Sequence, residues 1–124
     1  AAKVAGNGSV TTHIKYGGEV KTIEEVLGAE GKANLAREQL IRAALAISVV
    51  LEEKTEGIIG EIGFDLGIDR NGKVWLFEAN SKPGRHIFIH PKLKTADERS
   101  RRLPLAFAVH LAEKRMNAPA MVYA

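Results

Sequence analysis

The sequence predicts an α+β domain in which a mainly antiparallel sheet is packed by two main helices. Three observations lead there. An Asn-Gly pair joins two apolar runs in "GEIGFDLGIDRNGKVWLFEANSKPGR", and that pair is favoured in tight hairpin turns. Apolar residues recur at helical spacing from Leu35 to Leu51. A second such run, opened by Thr95-Ala96-Asp97-Glu98, extends to about Lys114, with Thr and Glu spaced as in a capping box.

The elements follow in chain order. The glycines of "AGNGS" read as a turn between strands. No Gly-Lys-Ser/Thr follows them and no helix opens there, as a phosphate loop would require. "SVTTHIKY", Ser9 to Tyr16, alternates β-branched and polar residues and is expected as a strand closed by Gly17-Gly18. "EVKTI" is a second strand, and "TIEEVLG" a short helical turn ended by Gly28. Asn34 is the candidate N-cap of the first long helix, which Glu52 to Glu56 should end, with Gly57 as its C-cap. A strand to about Asp69 and a return strand to about Ala79 come next. "NSKPGR" is a loop and "HIFIHP" a short extended piece. Pro104, inside the last helical run, predicts a kink or two abutting helices. The resulting order is β-β-α-β-β-α.

The totals bound the function. A chain of 124 residues is a single domain spanning 1–124, and its composition, 45% apolar and 27% charged, is ordinary for a globular protein. The net charge of +3 suits a phosphate-bearing ligand and is too weak to argue for nucleic acid. Without cysteine there is no disulfide, zinc-thiolate site or thiol nucleophile, which fits a cytoplasmic protein. No run is long and apolar enough to span a membrane. The opening "AAKVAGNGS" reads as the interior of a domain, so the chain is expected to be the C-terminal part of a longer protein. Cut from its other lobe, it would expose apolar surface that a second copy can cover.

The hairpin carries the chemistry. If Asn71-Gly72 forms a two-residue loop, Asp69 meets Val74, Gly67 meets Leu76 and Asp65 meets Glu78. Asn80 then shares a face with Glu78. Opposed like charges destabilise a sheet, and a bound cation is one remedy. Gly63 and Gly67 are expected to leave open space above the acid, while Phe64, Leu66, Ile68, Trp75 and Phe77 form an apolar core on the other face. Two carboxylates and an amide carbonyl suit a hard cation such as Mg²⁺. Lys82 and Arg85 follow in "SKPGR", placed for phosphate oxygens. Two readings compete with this one. Asp65 and Glu78 can be solvated residues on an exposed sheet face, and a three-residue loop would slip the register and separate them.

Asp65, then Glu78-Ala79-Asn80 thirteen residues on, then a Pro-Gly loop, resembles the metal-binding end of ATP-grasp ligases. The wording looks closest to the endospore coat-associated YheC/YheD-type ATP-grasp proteins, with "VAGNGSVTTHIKYGGEV" and "LPLAFAVHLAE" similar as well. The resemblance covers essentially the whole chain and implies the C-terminal lobe of an enzyme that binds Mg-ATP between two lobes. Such enzymes activate a carboxylate as an acylphosphate for attack by an amine. On that model Asp65 and Glu78 ligate one Mg²⁺, and Glu78 and Asn80 a second. His13 lines the nucleotide site, and Lys82 and Arg85 face phosphate or the acceptor carboxylate, a small molecule or a peptide. Two departures stand out. The Arg that many such ligases carry two residues before the metal Asp is Gly63 here, and the lobe that clamps the nucleotide is missing. The chain alone is therefore expected to be inactive. The alternative is a non-catalytic structural or binding module of the spore-coat type, which would make the protein spore-associated.

Other motifs carry less. His86 and His90 have zinc-ligand spacing only on a helix, and "HIFIHP" reads as extended. His110 reads as a packed residue of the closing helix. "ERSRRL" is basic but lacks the interleaved aromatics of a nucleic-acid site, and no GxSxG marks a hydrolase.

Overall fold

The computed structural model describes residues 1–28 and 30–118. It is α+β. Strands β1 (Ala2–Val4) and β2 (Glu19–Lys21) pair antiparallel, as do β3 (Gly63–Ile68) and β4 (Val74–Asn80), giving two two-stranded sheets among the described residues. Helix α1 (Ile23–Leu27) follows β2, α2 (Glu30–Lys54) joins the sheets, and α3 (Lys94–Met116) closes the chain. No helix of the described residues is long and apolar enough to cross a membrane.

The N-terminal strand lies where the sequence reading had none. β1 takes Ala2–Val4, whereas Ser9 to Tyr16 is irregular and ends in a 3-10 turn over Ile14–Tyr16. Side-chain chemistry explains the difference. Ser9 Oγ accepts the Thr11 N–H, Thr11 Oγ1 accepts that of His13, and His13 Nδ1 accepts that of Lys15. Each bond reaches two residues on and bends the chain, the local competition that draws Ser and Thr away from ladders. "AGNGS" is a turn as expected, with the Ser9 N–H donating to the Gly6 carbonyl.

Thr22 is the N-cap of α1. Its Oγ1 accepts the Glu25 N–H while Glu25 Oε2 accepts the Thr22 N–H, a complete capping box. Helix α2 starts at Glu30, so Asn34 is not its N-cap; it lies within the helix and accepts from Arg37. Small Ala33 and Ala36 let α1 approach α2 closely, and with Gly18 and Thr22 they are the buried residues among those described. Helix α3 starts at Lys94, so Thr95 is not a cap either, and Asp97 instead holds Arg101 one turn on. "HIFIHP" is not extended. It forms 3-10 turns over His86–Ile89 and Pro91–Leu93, where Pro91 supplies a helix-compatible φ. Helix α3 continues through Pro104 as one helix.

The accessible surface is 10136 Å². A close-packed monomer of this mass exposes about 6,500 Å². The excess reflects open packing: Ile41, Leu45 and Val49 stand on one exposed face of α2, and Leu105 and Val109 on one of α3.

Candidate functional site

The turn of the β3–β4 hairpin sets the geometry. The Asp69 N–H donates to the Lys73 carbonyl and the Gly72 N–H to the Asp69 carbonyl, both at 3.0 Å, and Gly72 has φ 82. The loop is therefore Arg70-Asn71-Gly72, three residues with glycine in the left-handed position, not two. Near the turn the register is one off the expectation: Ile68 faces Val74, Gly67 faces Trp75 and Leu66 faces Leu76. A β-bulge between Asp65 and Leu66 then restores it, with Phe77 as the extra residue. Beyond the bulge Asp65 faces Glu78, Phe64 faces Ala79 and Gly63 faces Asn80. Two irregularities cancel, and the acids end up opposed.

The slip relocates the aromatics. Trp75 and Phe77 are not core; they are 48% and 77% exposed. Facing Gly67, Trp75 belongs to the face that carries Asp65. The glycines do not leave open space either. A Cβ on Gly67 would lie 2.6 Å from the Phe77 ring, and one on Gly63 would collide with Pro83. These glycines admit two rings that flank the acid. Gly63 also explains the absent arginine, since any side chain there must displace the Pro83-Gly84 loop.

Asp65 is half exposed and meets Lys3 Nζ from β1 at 3.5 Å. Glu78 and Asn80 are exposed. Asn80 Oδ1 accepts the Lys82 N–H at 2.9 Å, which leaves its second lone pair free. The structure thus brings together Asp65, Glu78, Asn80 and the Lys82 backbone, and adds Lys3, to which no sequence signal pointed. Among the described residues no three His, Asp or Glu side chains gather; the oxygen set is two carboxylates and one amide. Its chemistry fits Mg²⁺, and the Lys3 ammonium already holds positive charge beside one carboxylate. His13 caps the 3-10 turn and stacks near Tyr16, with ring centroids 5.7 Å apart. Its neighbour Thr12 lines a cleft of about 530 Å³ that Lys3, Val4, Leu40, Phe64 and Asp65 also line, between β1 and β3.

Arg85 is engaged elsewhere. Its Nη2 donates to both Glu61 carboxylate oxygens, at 2.7 and 3.0 Å, and to the Ser100 carbonyl at 3.2 Å. That carbonyl is the one a helix would bond to the N–H of residue 104, and Pro104 has none. Arg85 takes the vacated acceptor. Among the described residues its Nε is buried with no partner.

A second cluster ties α1 to the turn before α3. Glu25 accepts from Lys92 Nζ at 2.9 Å and lies 3.1 Å from His90 Nε2. The Thr22 amide, then Lys92, hold the Glu25 carboxyl down at about 2.

A family model described as YheC/D-like ATP-grasp matches residues 1–111. The endospore coat-associated protein YheD of Bacillus subtilis (strain 168) is 49% identical over 119 residues, which cover 96% of this chain and 26% of that protein. The chain thus spans about a quarter of the curated relative it matches. No solved structure matches.

Proposed function

The chain belongs to the YheC/YheD-like ATP-grasp family, and from that premise we propose that it supplies the metal-binding wall of a Mg-ATP site. One observation carries the reading: Asp65 and Glu78 are opposed across the ladder, with Asn80 on the same strand two residues on. Opposed partners sit about 4.5–5.5 Å apart at Cβ, close enough for both carboxylates to share one ion. Asp65 and Glu78 would hold a first Mg²⁺, Glu78 and Asn80 a second. Bound there, magnesium would neutralise the terminal phosphate oxygens of ATP. Lys3, beside Asp65, and Lys82, whose backbone meets Asn80, would take phosphate oxygens. His13, next in sequence to the cleft-lining Thr12, would face the nucleotide. The acceptor would be a carboxylate, small or peptidic, activated as an acylphosphate when the rest of a longer protein completes the site.

A second reading has its own support. The name of the relative is that of a coat-associated protein, and Gly63 stands where related ligases carry a phosphoryl-steadying arginine. A structural module that keeps the fold, in the cytoplasm or associated with a spore, fits both facts.

Calorimetric titration of Mg-ATP into the wild type, Asp65→Asn and Glu78→Gln separates the two. The metal site requires that the wild type bind and that each variant lose about tenfold or more in Mg-dependent affinity, with unchanged circular dichroism. Equal behaviour of all three leaves the structural module.

A further inference from the structure

We propose that Arg85 is a positioning residue, and that Pro104 in α3 exists to give it a carbonyl to hold. The inference rests on the metal reading and assigns its supporting machinery. Arg85 ends the loop that begins at Asn80. At the start of that loop, Asn80 Oδ1 and the Lys82 N–H are bonded at 2.9 Å. At its end, the Arg85 guanidinium bridges Glu61, four residues before Asp65, and the Ser100 carbonyl of α3. In between, Pro83 lies against Gly63 of β3. The loop is therefore pinned at three points around the acids.

Pro104 makes the third point available. An interior proline removes the N–H that would occupy the carbonyl four residues back and its ring crowds that carbonyl outward. Here the freed acceptor is Ser100, and the donor that reaches it comes from a residue 15 positions away. The helix gives up one internal bond, and the Asn80–Arg85 loop gains an anchor on α3. Arg85 acts on the metal ligands through the loop, without touching an ion or nucleotide itself.

Pro104→Ala tests this because its two effects have opposite signs. Alanine restores an N–H to Ser100 and favours helix, so the thermal midpoint should hold or rise. The restored bond competes with Arg85, so the loop should loosen. With Mn²⁺ as the probe, read by its paramagnetic resonance signal, we expect Pro104→Ala to weaken binding about tenfold, as loss of outer support around metal ligands does. Arg85→Met should weaken it comparably, and adding it to Pro104→Ala should cost little more. If Pro104→Ala binds Mn²⁺ like the wild type while Asp65→Asn does not, the positioning role is wrong and the metal reading stands. If the wild type binds no Mn²⁺, the metal reading fails, and exchange of the Lys82 amide decides the loop question alone. Faster exchange in Pro104→Ala supports the anchor, and unchanged exchange overturns it.

Discussion

The two ends of the β3–β4 hairpin are built on opposite terms. At the turn, one acid is fully employed by its own hairpin. Asp69 Oδ1 accepts the N–H groups of Asn71 and Lys73, and Oδ2 accepts Trp75 Nε1 at 3.1 Å. Lys73 Nζ covers the Trp75 ring at 4.0 Å from its centroid, a cation–π contact that adds to the closure. At the open end, Asp65 faces another acid and, among the described residues, has only Lys3, at 3.5 Å, to offset it. The turn end stabilises the element. The open end spends that stability on holding like charges together, which is what a cation site asks of a scaffold.

The sharpest way to break this contrast is at the hinge between the open end and its loop. Gly63→Ala places a methyl against Pro83, and overpacking of this kind costs about 1–3 kcal/mol. Denaturant midpoints should fall accordingly, and Mg-dependent affinity should fall with them, because the Pro83-Gly84 loop that carries Lys82 has to move. A neutral effect on both would mean that the loop does not rest on β3.

The turn end answers to pH. The Trp75 indole, then the Lys73 and Asn71 amides, hold the Asp69 carboxyl below its usual value of 3.8. A depressed folded value means that this carboxylate stabilises the fold above about pH 4 and loses that contribution as the pH falls through the depressed value. The indole N–H resonance of Trp75 should report a transition below pH 3.8. Followed by the Asp69 side-chain carboxyl carbon resonance, Trp75→Phe should raise the midpoint toward that value, since the largest cause is removed. A midpoint indifferent to Trp75 would show that the backbone amides alone set it.

The same contrast explains what the sequence made legible. Helices α2 and α3 were readable from the recurrence of apolar residues at helical spacing, which the structure keeps although those faces stay largely exposed. Their starts were not, since Asn34 and Thr95 favour caps yet lie inside the helices, where Asn34 accepts from Arg37. The opposition of Asp65 and Glu78 was reached through a loop one residue too short, and the bulge at Phe77 corrected the count. Asn-Gly fits loops of either length; the choice depends on how Asp69 bonds Asn71 and Lys73, a geometry that spacing does not encode. The "SVTTH" segment misled because Thr has both a branched Cβ and a hydroxyl, and the hydroxyls prevailed. Lys3 was invisible because it meets Asp65 across 62 residues. Pro104 was visible as a helix interruption, but its consequence lies in Arg85, which only folding brings near.

The smallest effect is the most diagnostic. Directly opposed like charges in a sheet cost about 0.2–1 kcal/mol, and an exposed ion pair such as Lys3–Asp65 is worth about 0–1 kcal/mol. Without magnesium these nearly offset, so Asp65→Asn should change stability by less than about 0.5 kcal/mol. In a Lys3→Met background no cationic side chain among the described residues pairs with Asp65 or Glu78, and the same substitution should stabilise by a few tenths of a kcal/mol. Saturating Mg²⁺ should reverse the sign in both backgrounds, because the ion binds only the folded arrangement of carboxylates and stabilises it by mass action. A double-mutant cycle with and without magnesium reads all four values. If Asp65→Asn were equally destabilising in both backgrounds and indifferent to magnesium, the open end would be a solvated edge like any other, and the contrast with the turn end would lose its functional meaning.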